Sequence, residues 1–320
     1  MNKKHVPIFM AADERYLPYL AVALKSIQKH ASEGYVYDVR ILLTDITRES
    51  LHRIQNMELP DLNIHTVNLE KRISGIREAL GSRLRDYYSE SIYYRIFIPE
   101  MFPELKRAVY IDCDVILCED IALLYETELC DNLLAAASDQ SVPPIPEFCD
   151  YVESWVGVDS DLYFNSGVLV MNLEEMRKER ITDRFLFLLN KYNFDTVAPD
   201  QDYLNYLCRG RIEYLSPLWN KQPRFEAKGE PRLIHYNMFD KPWHYHGVNH
   251  SELFWQIADC TPFAEELHTG LLEYTDEQRA FDKEGAGRLV AAAAEIAQHE
   301  GGFAKTMLVE IDGELCSIDL

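Results

Sequence analysis

Short apolar runs that suit strands alternate with runs of helical spacing from the first ten residues onward, and this alternation restricts the chain to few folds. "VPIFMAAD" reads as a strand, "YLPYLAVALKSIQKHA" as an amphipathic helix, "YDVRILLTD" as a second strand and "NIHTVNL" as a third. "RAVYIDCDVIL", "NLLAAASD", "LYFNSGVLVMNL" and "RLIHYN" continue the series. Thr47 and Ser50 suit a helix-start cap for "TRESLHRIQNME" between the second and third strands. Strands alternating with helices predict an α/β fold with a mostly parallel sheet. Ligands of such sheets bind at the carboxyl ends of the strands. Three runs finish there on acids: Asp13, the pair Asp112 and Asp114, and Asp139.

The pattern fills residues 1–265, read as one domain. Residues 266–320 read as an appendage, with a helical pair or broken helix followed by a hairpin turning at Asp312-Gly313. The stretch 140–162 is proline-rich and reads as a lid or binding loop. With 53 acidic against 32 basic residues and a formal charge of −21, the chain lacks the basic footprint of a nucleic-acid binder. It contains no run of about 18 apolar residues that would span a membrane. Seven scattered cysteines without a C-x-x-C pair fit a reduced, cytoplasmic protein.

An unpaired ionised carboxylate in apolar surroundings is costly, so Asp112 and Asp114 within "RAVYIDCDVIL" need a turn, an ion pair such as Arg107, or a cation. D-x-D alone is a weak pattern. It recurs at Asp159/Asp161 and Asp200/Asp202, but only the first pair ends a strongly apolar run. Strand geometry would point both its side chains to one face. Two like charges about 4 Å apart repel by roughly 4 kcal/mol at an effective dielectric of 20, and a divalent cation relieves this. Oxygen ligands favour Mg2+ or Mn2+, and an added imidazole leans towards Mn2+.

The ordered motifs "IFMAADERY", "YYRIFIPEMFP", "RAVYIDCDVIL", "YFNSGVLVMNL", "PDQDYLNYL" and "IHYNMFDKPWHY" resemble the retaining glycosyltransferases of family 8, over roughly residues 5 to 265. That resemblance implies a Rossmann-like GT-A domain. It implies that Asp112, Asp114 and His235 hold the metal, and that Ala11, Asp13, Arg95 and Lys241 bind the nucleotide. Asp139, Asn165, Asp200 and Gln201 match the donor-sugar shell, with Gln201 and Asp200 nearest the chemistry. Read alone, Asp200 would serve as a helix cap, Asn165 as a turn residue, His235 as a structural histidine and Arg95 as a surface ion-pair partner. Two positions depart from the family: Arg15, where many relatives carry a smaller polar residue, and Met238, where relatives often have glycine near the phosphate.

The implied activity moves glucose or galactose from a UDP-sugar to a glycan, lipid-linked glycan or other hydroxyl acceptor, with Mn2+ or alternatively Mg2+. It implies a cytoplasmic enzyme working peripherally at the inner membrane face, and leaves self-association as a homo-oligomer open. A haloacid-dehalogenase-like phosphatase is the enzymatic rival, although Ile116 stands where its pattern wants Thr or Val. An inactive carbohydrate-binding protein on the same fold is the other rival. A dinucleotide oxidoreductase fails for want of G-x-G-x-x-G after a strand. Aromatics of "WHYHGVNHSELFW" suit either sugar stacking or ordinary packing.

Overall fold

β1 (Lys4–Ala12) is buried along most of its length and lies between β2 (Tyr35–Leu43) and β4 (Arg107–Ile111), parallel to both. Burial on both faces explains its nearly unbroken apolar sequence. The computed structural model describes residues 3–43, 46–69, 90–311 and 314–319. β3 (Leu62–Asn68) adds to β2 in parallel. β7 (Phe164–Asn172) is antiparallel to both β4 and β6 (Leu134–Ser138), and β8 (Ile212–Tyr214) closes the far edge. The seven-stranded order is β3-β2-β1-β4-β7-β6-β8, a mixed and mostly parallel sheet. The direction of strand addition reverses between β1 and β4, and at such a switch point the carboxyl ends open a crevice.

Helix Leu17–His30 buries Leu20, Ala21, Leu24 and Ile27 on one side of the sheet. Helix Tyr94–Met101 covers the other with Ile96, Phe97 and Ile98. Thr47 accepts the Ser50 N–H as the cap of helix Arg48–Gln55, while its own N–H is taken by Glu14 rather than by a residue of that helix.

"RAVYIDCDVIL" is not one strand. The chain leaves the large sheet after Ile111, turns through Asp112-Cys113-Asp114, and resumes as β5 (Val115–Leu117). β5 pairs antiparallel with β9 (Leu233–His235), so "RLIHYN" forms a separate two-stranded sheet, with Val115 opposite His235. The 140–162 stretch is not irregular either. It holds helix Pro146–Tyr151 with proline at its start, continued by a π-helical turn Val152–Val156.

Residues beyond 265 pack on the sheet layers. Asp276–Ile296 is a single unbroken helix opened by a Thr275–Gln278 capping box. Leu289, Ala293, Ile296 and Phe303 join the cluster that contains Tyr203, Phe185 and Leu204. β10 (Thr306–Ile311) and β11 (Glu314–Asp319) pair antiparallel as a hairpin, whose Asp312-Gly313 turn lies outside the described residues.

Candidate active site

One cleft of about 500 Å³ opens at the carboxyl ends of β1 and β4, and every candidate residue singled out in the sequence lines it. The large sheet delivers Ala11, Asp13 and Asp112, and the small one delivers Asp114 and His235. Pairing of β5 with β9 brings positions 114 and 235 together: the Tyr236 N–H donates to the Asp114 carbonyl at 2.8 Å. His235 Nε2 then stands 3.1 Å from Asp114 Oδ1 and 3.8 Å from Asp112 Oδ2. One ligand atom from each of the three residues lies within 4.8 Å of the others.

The backbone is shaped around this cluster. Asp112 N–H donates to the Gly167 carbonyl at 2.8 Å. A Cβ at Gly167 would meet His235 Cε1 at 2.3 Å and Asp112 Oδ2 at 2.6 Å. Glycine inside a strand marks such a close approach. "FNSG" is therefore strand rather than turn, and its glycine, unused in the sequence reading, carries a signal that could have been found there.

The orientation of the imidazole follows from a chain of amides. Asp139 can only accept when ionised, so Asn165 turns its Nδ2 towards Asp139 Oδ2, at 3.0 Å. Asn165 Oδ1 then accepts Asn220 Nδ2 at 2.9 Å, and Asn220 Oδ1 faces His235 Nδ1 at 2.9 Å. His235 thus donates from Nδ1 and turns its Nε2 edge towards the two acids. A metal-binding histidine is commonly held in this way from behind. Burial would raise the Asp139 carboxyl, but donors from Gln222, Ser141 and Asn165 hold it below its ordinary value. Asn220 had no sequence signal, because its role depends on a tertiary contact 15 residues away.

Two buried cations partly offset the acids. Arg95 is buried and joins Asp112 at 2.9 Å to Asp200 at 3.1 Å, with its guanidinium 4.4 Å from the Tyr110 ring centre. It is not a surface ion-pair residue. Arg107, offered from sequence as a partner of the acid pair, instead donates to the Tyr125 carbonyl. Lys241 pairs with Asp114 Oδ2. Burial would raise the Asp114 carboxyl, yet Lys241 and then His235 hold it well below the carboxylate range. Asp200 is raised by burial, with Arg95 opposing. Asp112, Asp114, Asp139 and Asp200 against Arg95 and Lys241 leave four negative and two positive groups. That imbalance, the acid–acid–imidazole donor set and the Gly167 cradle all fit a divalent cation.

Asp200 lies in the first turn of helix Pro199–Cys208 and accepts Ser166 Oγ at 2.9 Å. The group that closes the start of this helix is Asp202, which accepts the N–H groups of Val197 and Ala198 and the hydroxyls of Tyr151 and Tyr163. Gln201 donates to Asp139 and accepts the Ser166 N–H. Asp13 accepts the N–H groups of Arg15 and Tyr16 and pairs with the Arg15 side chain at 2.9 Å. Ala11 offers its carbonyl to Cys113 Sγ at 3.0 Å. Met238 has φ of +54°, a left-handed conformation that favours glycine. The departure from the family at this position thus keeps a glycine-like backbone. Trp243 is buried, stacking on Tyr19 at 4.0 Å, which is a packing role. The cleft lining also includes Phe148 and, from the C-terminal helix, Asp282, Ala286, Leu289 and Val290.

The sequence profile of Glycosyl transferase family 8 matches residues 7–247. The chain belongs to glycosyl transferase family 8. Among its relatives, a Haemophilus influenzae glycosyltransferase is 27% identical over 223 residues, covering 68% of this chain and 63% of the relative. The lipopolysaccharide 1,2-glucosyltransferase of Escherichia coli is 28% identical over 189 residues, covering 53% of this chain and 54% of that enzyme. The chain spans less than two thirds of either. The crystal structure of galactosyltransferase LgtC with donor and acceptor sugar analogues superposes with a TM-score of 0.65, at 22% identity over 83% of this chain and all of LgtC. This likeness establishes the GT-A fold. Family membership sets the haloacid-dehalogenase-like phosphatase reading aside. No helix among the described residues is long and apolar enough to cross a membrane.

Proposed function

We propose that this family 8 protein transfers a hexose, glucose or galactose, from a UDP-sugar to a hydroxyl of a glycan or lipid-linked glycan, with retention and with Mn2+, or alternatively Mg2+. The observation that carries the proposal is the convergence of Asp112, Asp114 and a tautomer-fixed His235 around the Gly167 cradle, at a parallel-sheet switch point.

When bound, the cation supplies Lewis-acid stabilisation of the negative charge that grows on the departing diphosphate. Lys241, which pairs with Asp114 at the cleft, would add a compact positive charge for the same diphosphate. Arg95 bridges Asp112 and Asp200 and holds both carboxylates in place. Ala11 and Asp13 hold the base and ribose at the end of β1. Asp139, Asn165, Asp200 and Gln201 form the bed of the sugar. Gln201 has both ends of its amide engaged and is a poor nucleophile. We therefore favour attack by the acceptor hydroxyl on the face the diphosphate leaves, with the departing phosphate taking the hydroxyl proton. Asp200, the carboxylate next to it, stabilises the oxocarbenium character of the anomeric carbon.

The working place we favour is the cytoplasm, peripherally at the inner membrane face; the scattered cysteines without a C-x-x-C pair support a reducing compartment. The deciding experiment is a panel of UDP-sugars with Mn2+, following UDP release with and without glycan acceptors. Metal-dependent release from UDP-glucose or UDP-galactose is expected. Asp114→Asn should abolish EDTA-sensitive UDP binding. Tight EDTA-sensitive binding by that variant would refute the metal assignment, and UDP binding without any turnover would favour the inactive carbohydrate-binding reading.

A further inference from the structure

The bed of the proposed sugar site contains a residue that no motif pointed to. Gln222 is 2% exposed and lines the cleft. Its Nε2 donates to Asp139 Oδ1 at 3.0 Å. Because a carboxylate only accepts, this bond fixes which end of the amide is nitrogen. The carbonyl Oε1 is left buried and takes no hydrogen bond. A buried acceptor without a donor is costly, and native proteins keep few of them.

The neighbouring groups are already engaged. Asp139 Oδ1 accepts from Ser141 N, Ser141 Oγ and Gln222, and Oδ2 accepts from Asn165 and Gln201. Five donors exceed the roughly four lone-pair sites of one carboxylate, so none is left open. Of the three amides that hang on Asp139, Gln201 spends its oxygen on Ser166 N and Asn165 spends its oxygen on Gly167 N and Asn220. Gln222 alone of the three keeps its oxygen free.

We propose that Gln222 Oε1 accepts the hydrogen of one ring hydroxyl of the transferred hexose, and that Asp139 acts behind it by holding the amide in register. The inference rests on the donor reading above and deepens it, since it names the group that senses a hydroxyl's presence. A donor without that hydroxyl leaves the acceptor unpaired, which is the arrangement that rejects analogues most strongly.

The test compares wild type and Gln222→Met, a substitution of similar length that removes both polar ends. Mn2+-dependent binding is measured for UDP, UDP-glucose, UDP-galactose and their 2-, 3-, 4- and 6-deoxy analogues. Wild type should bind one deoxy analogue about 10- to 100-fold more weakly than its parent. Gln222→Met should bind the parent as weakly as wild type binds that analogue, with no further loss on the analogue itself. UDP binding should be equal in both proteins, which shows that the variant is folded. The wild-type series reads the contact without any mutation. If Gln222→Met keeps the wild-type deoxy pattern, or wild type shows none, the assignment is overturned while the donor reading stands. If wild type fails to bind UDP at all, the donor reading falls and takes this inference with it.

Discussion

Asn220 Oδ1 lies 2.9 Å from His235 Nδ1, on the side of the imidazole away from Asp112 and Asp114. This contact decides which ring nitrogen is free for the acids' side of the site. Asn220→Ala should weaken Mn2+ binding about 10- to 100-fold by releasing the ring. Asp139→Leu, two amides further back, should lower Mn2+ affinity as well, although it touches none of the three ligands. Titration of free Mn2+ by electron paramagnetic resonance reads both. Unchanged affinity in both variants would show that the amide chain does not set the tautomer.

Gly167→Ala should damage the same site by contact. Its Cβ cannot sit 2.3 Å from His235 Cε1, so the ring or β7 must move. A loss of about 1–3 kcal/mol in urea unfolding is expected for such overpacking, together with loss of Mn2+-dependent UDP binding.

Lys241→Met should destabilise the metal-free protein more than the loaded one. Without the ammonium, Asp114 keeps its charge against His235 alone, and breaking a buried pair is costly. The Asp114 side chain is 11% exposed, so the loss should be reduced by solvent to about 1–3 kcal/mol. Mn2+ should recover part of it, as any ligand that binds only the folded state does. Melting temperatures with Mn2+ and with EDTA read the difference.

Asp202 gives a pH signature away from the cleft floor. Burial raises its carboxyl to about 6, against the four donors that favour its charged form. The folded state then holds more protons than the unfolded one between about pH 4 and 6, so this group's contribution falls as pH rises through that window. Relative to Asp202→Asn, the wild type should lose on the order of 3 kcal/mol of stability from pH 4 to pH 7. Urea unfolding of both proteins across that range checks the sign.

Phe303 is fully buried, with its ring 4.8 Å from Tyr203 and 4.3 Å from Phe194. Phe303→Ala should cost about 3–5 kcal/mol and lower the single unfolding transition of residues before 265 along with it. Two separate transitions in calorimetry would support the division at residue 265 as a boundary between folding units.

Much of this architecture was legible in the sequence because it is periodic. The apolar runs of β1, β2, β4 and β7 and the helix Leu17–His30 carry their own signatures. The D-x-D pair was legible by charge inside an apolar run. The partition of "RAVYIDCDVIL" between two sheets was not, because β5 and β9 are three-residue strands whose pairing spans more than a hundred positions and has no local pattern. Helix Pro146–Tyr151 was hidden by prolines that initiate it rather than break it. Arg95 was ambiguous because a helical arginine is usually exposed, and only tertiary packing sets it between Asp112 and Asp200. Asn220 and Gln222 sit in "LWNKQ", where nothing in the local chemistry reveals what an amide will face.

The C-terminal helix supplies Asp282, Ala286, Leu289 and Val290 to the lining of the cleft, whereas the acids, the imidazole and the amide chain all come from earlier in the chain. Ala286 and Val290 are therefore the late positions at which substitution would reshape the cleft lining while the acids, the imidazole and the amide chain keep their own contacts.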